Sequence, residues 1–441
     1  MLKNHMKRSL LLALAFSITN MLEAANWAQW RGPSFNGSTT ETGLPAKWSK
    51  TENVVWKAKL PGESAATPAV WEDKVFVSST DSQSQSLMAL CFDRSSGNPL
   101  WSKQLSKGLR QDSRSSYSSP SPATDGQVVV FFYGNGDLIA FNLDGKELWK
   151  RNIQKEEGAF AFLWTFSSSP LLYEDKLYLQ VLQRDTPVRG RGFSDRENES
   201  YILAMNPSTG KTLWRHVRPS KAKAESREAF TTPIPFEFRG QKQILIIGGD
   251  VLTGHDPATG KELWRWGTWN PNRIGHWRHV PSPIASEDII LVCAPKRDPI
   301  YAIKPGGAGL LNDRAIAWVS NDTRELSSDV PTPACYQGDF FILSDVRKAL
   351  SRVEPKSGTV KWTTELPGFP KYEASPLAAD GKIYVMNFAG DVVVINAEDG
   401  KIISNIAMGS GSDDQTRSAI IASHGQLFIR TNSELFCIAA Q

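Results

Sequence analysis

The sequence predicts an all-β chain that closes into an eight-bladed β-propeller. Three observations carry this. A short frame recurs: a small residue, any residue, Asp or Asn, then Gly, then Trp four residues after the Gly. It runs from Ala204 to Trp214, from Gly254 to Trp264 and from Cys91 to Trp101, with a shorter copy from Ala140 to Trp149. The spacing is the second observation. From Trp56 to Trp101, Trp149, Trp214, Trp264, Trp318, Trp362 and finally Ser404, the steps are 45, 48, 65, 50, 54, 44 and 42 residues. A unit near 45 residues with occasional insertions marks a propeller or an array. Third, the ends complement each other. The last unit, 418–439, holds three strands and stops, while 54–60 is a strand with no hairpin before it.

Each unit follows one grammar. It opens on Ser/Thr-Pro, at Thr67-Pro68, Ser119-Pro120, Ser169-Pro170, Thr232-Pro233, Ser282-Pro283, Thr332-Pro333 and Ser375-Pro376. Proline suits a first strand residue because its missing N–H costs nothing there. A short apolar strand follows, then turns such as Asp125-Gly126 and Asp380-Gly381, then a strand rich in Val, Ile, Phe and Tyr. The third strand ends in the frame and the fourth carries the Trp. The frame's Gly permits a turn with positive φ, and the Asp/Asn side chain accepts from turn amides. The Trp supplies a flat face for the neighbouring blade, roughly 2–3 kcal/mol by area. Trp56, Trp101, Trp149, Trp214, Trp264, Trp318 and Trp362 are therefore read as structural docking residues. The strand at 54–60 is expected to complete blade eight, which removes the open sheet edges.

Two stretches interrupt the rhythm, 183–199 and 306–313, and are expected as rim loops. Residues 1–25 read as a signal peptide. Lys3, Lys7 and Arg8 precede a nine-residue apolar run from Leu10 to Ile18, too short to span a bilayer, and Ala24 and Ala25 offer a cleavage site. No Cys lies there to carry a lipid, and no later segment is long and apolar enough to cross a membrane. The mature protein is expected to be exported, periplasmic or secreted, soluble and not lipidated. The domain reading is a signal at 1–25, an extended arm at 26–53 that packs on the outside, and one propeller over 54–441.

Composition narrows the function classes. Removing Lys3, Lys7, Arg8 and Glu23 leaves 47 basic against 45 acidic residues, so no global charge argues for nucleic acid. Cys91, Cys293, Cys335 and Cys437 are scattered, with neither CxxC nor a vicinal pair. A metal or c-type haem reading fails at that point.

The repeated frame resembles the tryptophan-docking motif of the pyrroloquinoline quinone (PQQ)-like propeller family, over about 54–441. The resemblance implies one of two branches. One holds PQQ-dependent alcohol and sugar dehydrogenases with a calcium-bound quinone. The other holds non-catalytic propellers such as the subunit of the outer-membrane protein assembly machinery. No stretch matches the calcium site or catalytic acids of the first branch, so neither PQQ, calcium nor any other cofactor is expected, and no catalytic residue or metal ligand is assigned. The lipidated Cys of the second branch is also missing.

Loops that join one blade's Trp strand to the next blade's first strand gather on one face, around the axis. They are rich in Arg and aromatic residues, which suits an anionic or sugar-like ligand or a peptide. The candidate ligand-binding residues are Tyr117, Trp164, His276, Trp277, Arg278, His279, Tyr372 and Arg417, with Arg278 and His279 expected at the channel mouth. Arg324 and the acidic pair Asp413-Asp414 lie in the same loops. The leading functional reading is a non-catalytic propeller that binds a protein or cell-envelope component through this face. A cofactor-dependent oxidoreductase and a carbohydrate-binding propeller are the alternatives.

Overall fold

The computed structural model describes residues 26–296, 298–320, 326–411, 413 and 415–440. Residues 1–25, expected as a signal peptide, Arg324 and Asp414 lie outside the described residues.

Eight sheets form, each meandering from an inner to an outer strand. Blade one runs Ala69–Trp71, Lys74–Asp81, Ser86–Asp93 and Pro99–Lys107. Blades two to seven repeat this. Blade eight combines Ile421–Ser423, Gln426–Arg430 and Glu434–Ala439 with Val54–Lys59 from the other end of the chain. Trp56 pairs with Cys437 and Lys57 with Phe436, so the ring closes as the strand count predicts. The inner strands are buried on both faces, which is why Val128–Phe132 is wholly apolar. Outer strands such as Thr212–Val217 are largely open to solvent.

The register explains the frame. Its small residue pairs directly with the Trp: Cys91 with Trp101, Ala140 with Trp149, Ala204 with Trp214, Ala302 with Trp318. Immediately beyond that pair each ladder slips by one residue, a β-bulge that increases local twist. The extra residue, Leu100, Leu148 or Leu213, is pushed outward, which accounts for those exposed aliphatics. Six of the seven indoles then lean onto the next blade. The Nε1 of Trp56, Trp101, Trp149 and Trp318 donates to the carbonyls of Arg94, Leu143, Pro207 and Pro355 at 2.7, 3.0, 2.7 and 2.7 Å. Trp362 reaches the Glu398 carbonyl at 3.1 Å, and the Trp214 ring covers Gly260. The frame Gly thus serves twice. At Gly210 φ is +69°, and a Cβ would fall 2.6 Å from the Trp149 ring.

Trp264 departs from the docking reading. Its Nε1 donates to Gln243 within its own blade, at 2.7 Å. The cause is the insertion before the Trp318 strand. Rather than forming a rim loop, Gly309–Leu310 adds a fifth, parallel strand to blade four, opposite Trp264 and Arg265. Blade seven shows the converse. Ser404 stands where a Trp would dock, but blade eight has no third-to-fourth-strand turn to receive one, because its outer strand is Val54–Lys59. The arm fills the joint instead. The Ser404 hydroxyl donates to the Ala46 carbonyl, and the Trp48 indole N–H to Met408 Sδ at 3.2 Å.

The arm does not pack on the outside. It crosses the axis at the end of the channel away from the loops. Trp27 bridges to Val70 of blade one, Thr124 N donates to Ala28, and the Gln29 amide bonds Leu172 in both directions. Cys335 N donates to Asn36, and Thr39 N to Ala378. At the centre the Arg31 guanidinium, 2% exposed, donates to the carbonyls of Pro333, Pro376 and Asn36.

Candidate functional site

The Ser/Thr-Pro openings do more than start strands. Each hydroxyl accepts from the backbone N–H at the same level of the preceding blade: Thr67 N to Ser121, Ser121 N to Ser169, Ser169 N to Thr232, Thr232 N to Ser282, Ser282 N to Thr332 and Thr332 N to Ser375, all at 2.8–3.1 Å. Ala419 N continues the girdle to Thr67 at 3.3 Å. In blade two the position belongs to Ser121-Pro122, two residues beyond the expected pair, because Ser119 is used inside its own loop as acceptor for Ser116 N. These hydroxyls are committed to holding the inner strands together.

Above the girdle the loops form a funnel of about 150 Å³ on the axis. Trp30 of the arm lies at its base, with Ser121, Ser169, Thr232, Thr332 and Ser375 around it. Arg114, Arg278 and Arg417 reach into it beside Trp164 and Phe230. Carboxylates position the guanidinium groups. Buried Glu373 accepts from Arg417 Nε at 2.9 Å. Glu225 accepts from Trp164 Nε1 at 2.9 Å and pairs with Arg278 at 3.4 Å. Arg114 lies 5.7 Å over the Trp164 ring, a cation–π placement. Calcium takes six to eight oxygens, carboxylates among them. With Glu373 and Glu225 held by arginines, the funnel does not present such a set, and no group of three metal-binding side chains occurs among the described residues.

Of the expected residues, the funnel therefore gathers Trp164, Arg278 and Arg417. Trp277 is half-buried against the core of blades four and five, and His276 is exposed on the rim. Tyr117 lies in the loop beside blade two, and Tyr372 is fully buried with its hydroxyl donating to Pro367. His279 does not face the mouth. It is 1% exposed, its ring sits 5.7 Å from Trp269, and burial holds its imidazole neutral with a pKa near 3. Arg278 and His279 are adjacent in an extended segment, so their side chains point to opposite sides. Trp30, Arg114, Phe230, Glu225 and Glu373 were not among the candidates. The signal for Trp30 was in the run Trp27 to Pro33, whose aromatic density is unusual for a solvent-exposed arm.

The insertion at 183–199 packs beside the funnel rather than standing free on the rim. Arg191 donates to the carbonyls of Phe162 and Leu163, and Arg227 pairs with Asp185 and Glu197. Its first arginine, Arg184, pairs with Glu228, which is fully buried, accepts from Leu163 N at 3.0 Å and has no partner on Oε2. Burial pushes that carboxyl up to about 7, against the pull of Arg184. Stability contributed by a carboxyl raised in this way is present below the unfolded value and is lost as pH rises through the folded one. The buried histidines act the other way, below pH about 6.5. Between pH 6.5 and 8 Glu228 is expected to remove about 1 kcal/mol of stability. Over that window the parent and Glu228→Gln should diverge by about that amount in urea titrations at the two pH values, with the Gln variant keeping more of its stability.

Comparison with known proteins follows this architecture. The family described as outer membrane protein assembly factor BamB matches residues 37–185 and 248–441, more than half of the chain. The chain belongs to that family. BamB from Moraxella catarrhalis is similar with a TM-score of 0.58 and 14% identity, covering 88% of this chain and 97% of that one. A europium-containing methanol dehydrogenase is similar at 0.68 and 11%, covering 94% and 98%. A quinohemoprotein alcohol dehydrogenase from Comamonas testosteroni is similar at 0.61 and 12%, covering 93% and 80%. At these identities the likenesses show the propeller fold alone. The comparison with curated proteins found no match. Within this BamB family, the Arg- and aromatic-lined funnel is the feature on which function is argued. No helix among the described residues is long and apolar enough to cross a membrane.

Proposed function

We propose that the chain is an exported, non-catalytic propeller that binds a protein partner of the cell envelope through its loop face. The observation that carries this is the funnel itself, where Arg114, Arg278 and Arg417 converge beside Trp164 and Phe230. Arg and Trp are the side chains that anchor protein interfaces. The girdle hydroxyls at its base accept hydrogen bonds between blades, and His279 is buried and neutral, which supports a binding role over a catalytic one. The family description, an outer-membrane assembly factor, supports an envelope protein as the partner. A photo-crosslinking residue at His276, on the loop rim, is expected to give a discrete protein adduct in cells, and one at Leu213, on the outer edge, is not. Trp164→Ala should suppress the adduct. Equal adducts from both positions, or dye reduction driven by alcohols or sugars, would reject the reading.

A further inference from the structure

We propose that the funnel captures the free C-terminal carboxylate of an extended peptide. This rests on the loop face being the binding face and names what that face reads. Three features of the site lead to it.

The first is unsatisfied positive charge. Arg114 is exposed, and its guanidinium makes no hydrogen bond or ion pair among the described residues; its contact is the Trp164 ring. Arg278 is only 8% exposed, and its one ion pair among the described residues is the long one to Glu225, whose same oxygen already accepts from Trp164. A carboxylate between them would take charge-assisted bonds that the Arg114 guanidinium lacks among the described residues and that Arg278 has only at 3.4 Å.

The second is shape. The girdle narrows the funnel and Trp30 stands across its base. A chain end fits a blind funnel, whereas an internal acidic residue would require the chain to enter and leave by the same opening.

The third is the way out. A narrow cleft opens off the funnel toward blades eight and one, sharing Ala65, Arg114, Ser115, Ser119 and Arg417 with it. Its further lining is polar and includes Glu63, Gln111, Asp112, Gln415 and Asn432. Glu63 and Asp112 oppose additional acidic residues there, so one carboxylate is anchored and a neutral or basic chain leads away. Trp164 and Phe230 receive an apolar last side chain. Main-chain capture with a pocket for the terminal group is an established recognition mode.

The test uses the full mature chain and a panel of fluorescein-labelled hexapeptides, Gly-Ser-Gly-Ser-Ala-X, varied only in the last residue. Each is made as the free acid and as the C-terminal amide. Fluorescence polarisation is expected to show acids with apolar or aromatic X bound at least tenfold more tightly than their amides, with the difference shrinking as salt rises. Arg114→Glu, at an exposed position that folding does not need, should remove the discrimination. Arg239→Glu, at an exposed turn of blade four, should leave it intact. Acids and amides that bind alike across the panel, or acids that bind Arg114→Glu as they bind the parent, overturn the proposal. Free acetate or glutamate competing as strongly as the peptides would show a small-anion site instead. If acids and amides bind alike while the His276 crosslink persists, the binding face stands and terminal recognition falls. Discrimination without a crosslink gives the reverse.

Discussion

A chain lacking residues 26–60 is expected to aggregate or fail to fold. The deletion removes Val54–Lys59, the outer strand of blade eight, and leaves the Glu434–Ala439 edge without its partner. Unpaired edges of this kind recruit other chains. It also removes Trp56, whose indole covers Gly97 and donates to Arg94 of blade one. Trp56→Ala alone should cost about 3 kcal/mol. The arm goes too, and with it the bonds that tie blades one, two, three, six and seven across the axis and fill the joint at Ser404. Against a typical total stability of roughly 5–15 kcal/mol, these losses together exceed what a ring closed at one point can bear. Light scattering after size exclusion, with a melting curve, checks this. A monomer with the parent's melting temperature would show that blade eight closes without its N-terminal strand.

The parts of this architecture that were legible in the sequence obey local rules. Gly210 needs positive φ, Asn206 caps its own turn by accepting from Ser208 N and Thr209 N, and Trp214 follows at fixed distance. Repetition then turned a weak local signal into a blade count and a closure. The same reasoning failed where a residue's role depends on a neighbour the repeat does not specify. Trp264 has the full frame, yet docks within its own blade because an inserted strand lies alongside. The arm occurs once, so no period fixed its path across the channel. The loops were identified as a face, but the direction of each side chain was not. Arg278 and His279 differ by one residue and by the whole width of the chain. Ser121 displaced Ser119 because two Ser-Pro pairs adjoin, and only the hydrogen-bond ring selects between them.

Arg31→Ala is expected to have the largest effect of any single substitution away from the Trp joints. The guanidinium lies at the centre of the ring, where burial lowers its pKa to about 9, so it remains charged at neutral pH. It is held by carbonyls from three separate segments, Asn36 of the arm, Pro333 of blade six and Pro376 of blade seven. Gly37 makes room for it, since a Cβ there would fall 1.8 Å from Arg31 Nη2. Truncation leaves those buried acceptors without this donor, at about 1–3 kcal/mol each, and a hole beneath Trp30. A loss of at least about 3 kcal/mol is expected, and Arg31→Lys should recover little of it because one ammonium cannot fork to three carbonyls. The six joints with a docking Trp keep those contacts, so the damage should begin at the arm. Limited proteolysis of Arg31→Ala is expected to cut within 26–53 before the blades are touched, and the melting temperature should fall with it. If the arm stays protected and stability changes by less than about 0.5 kcal/mol, a value ordinary for surface substitutions, then Trp27, Gln29 and Trp48 hold the arm without Arg31, and the base of the funnel does not depend on it.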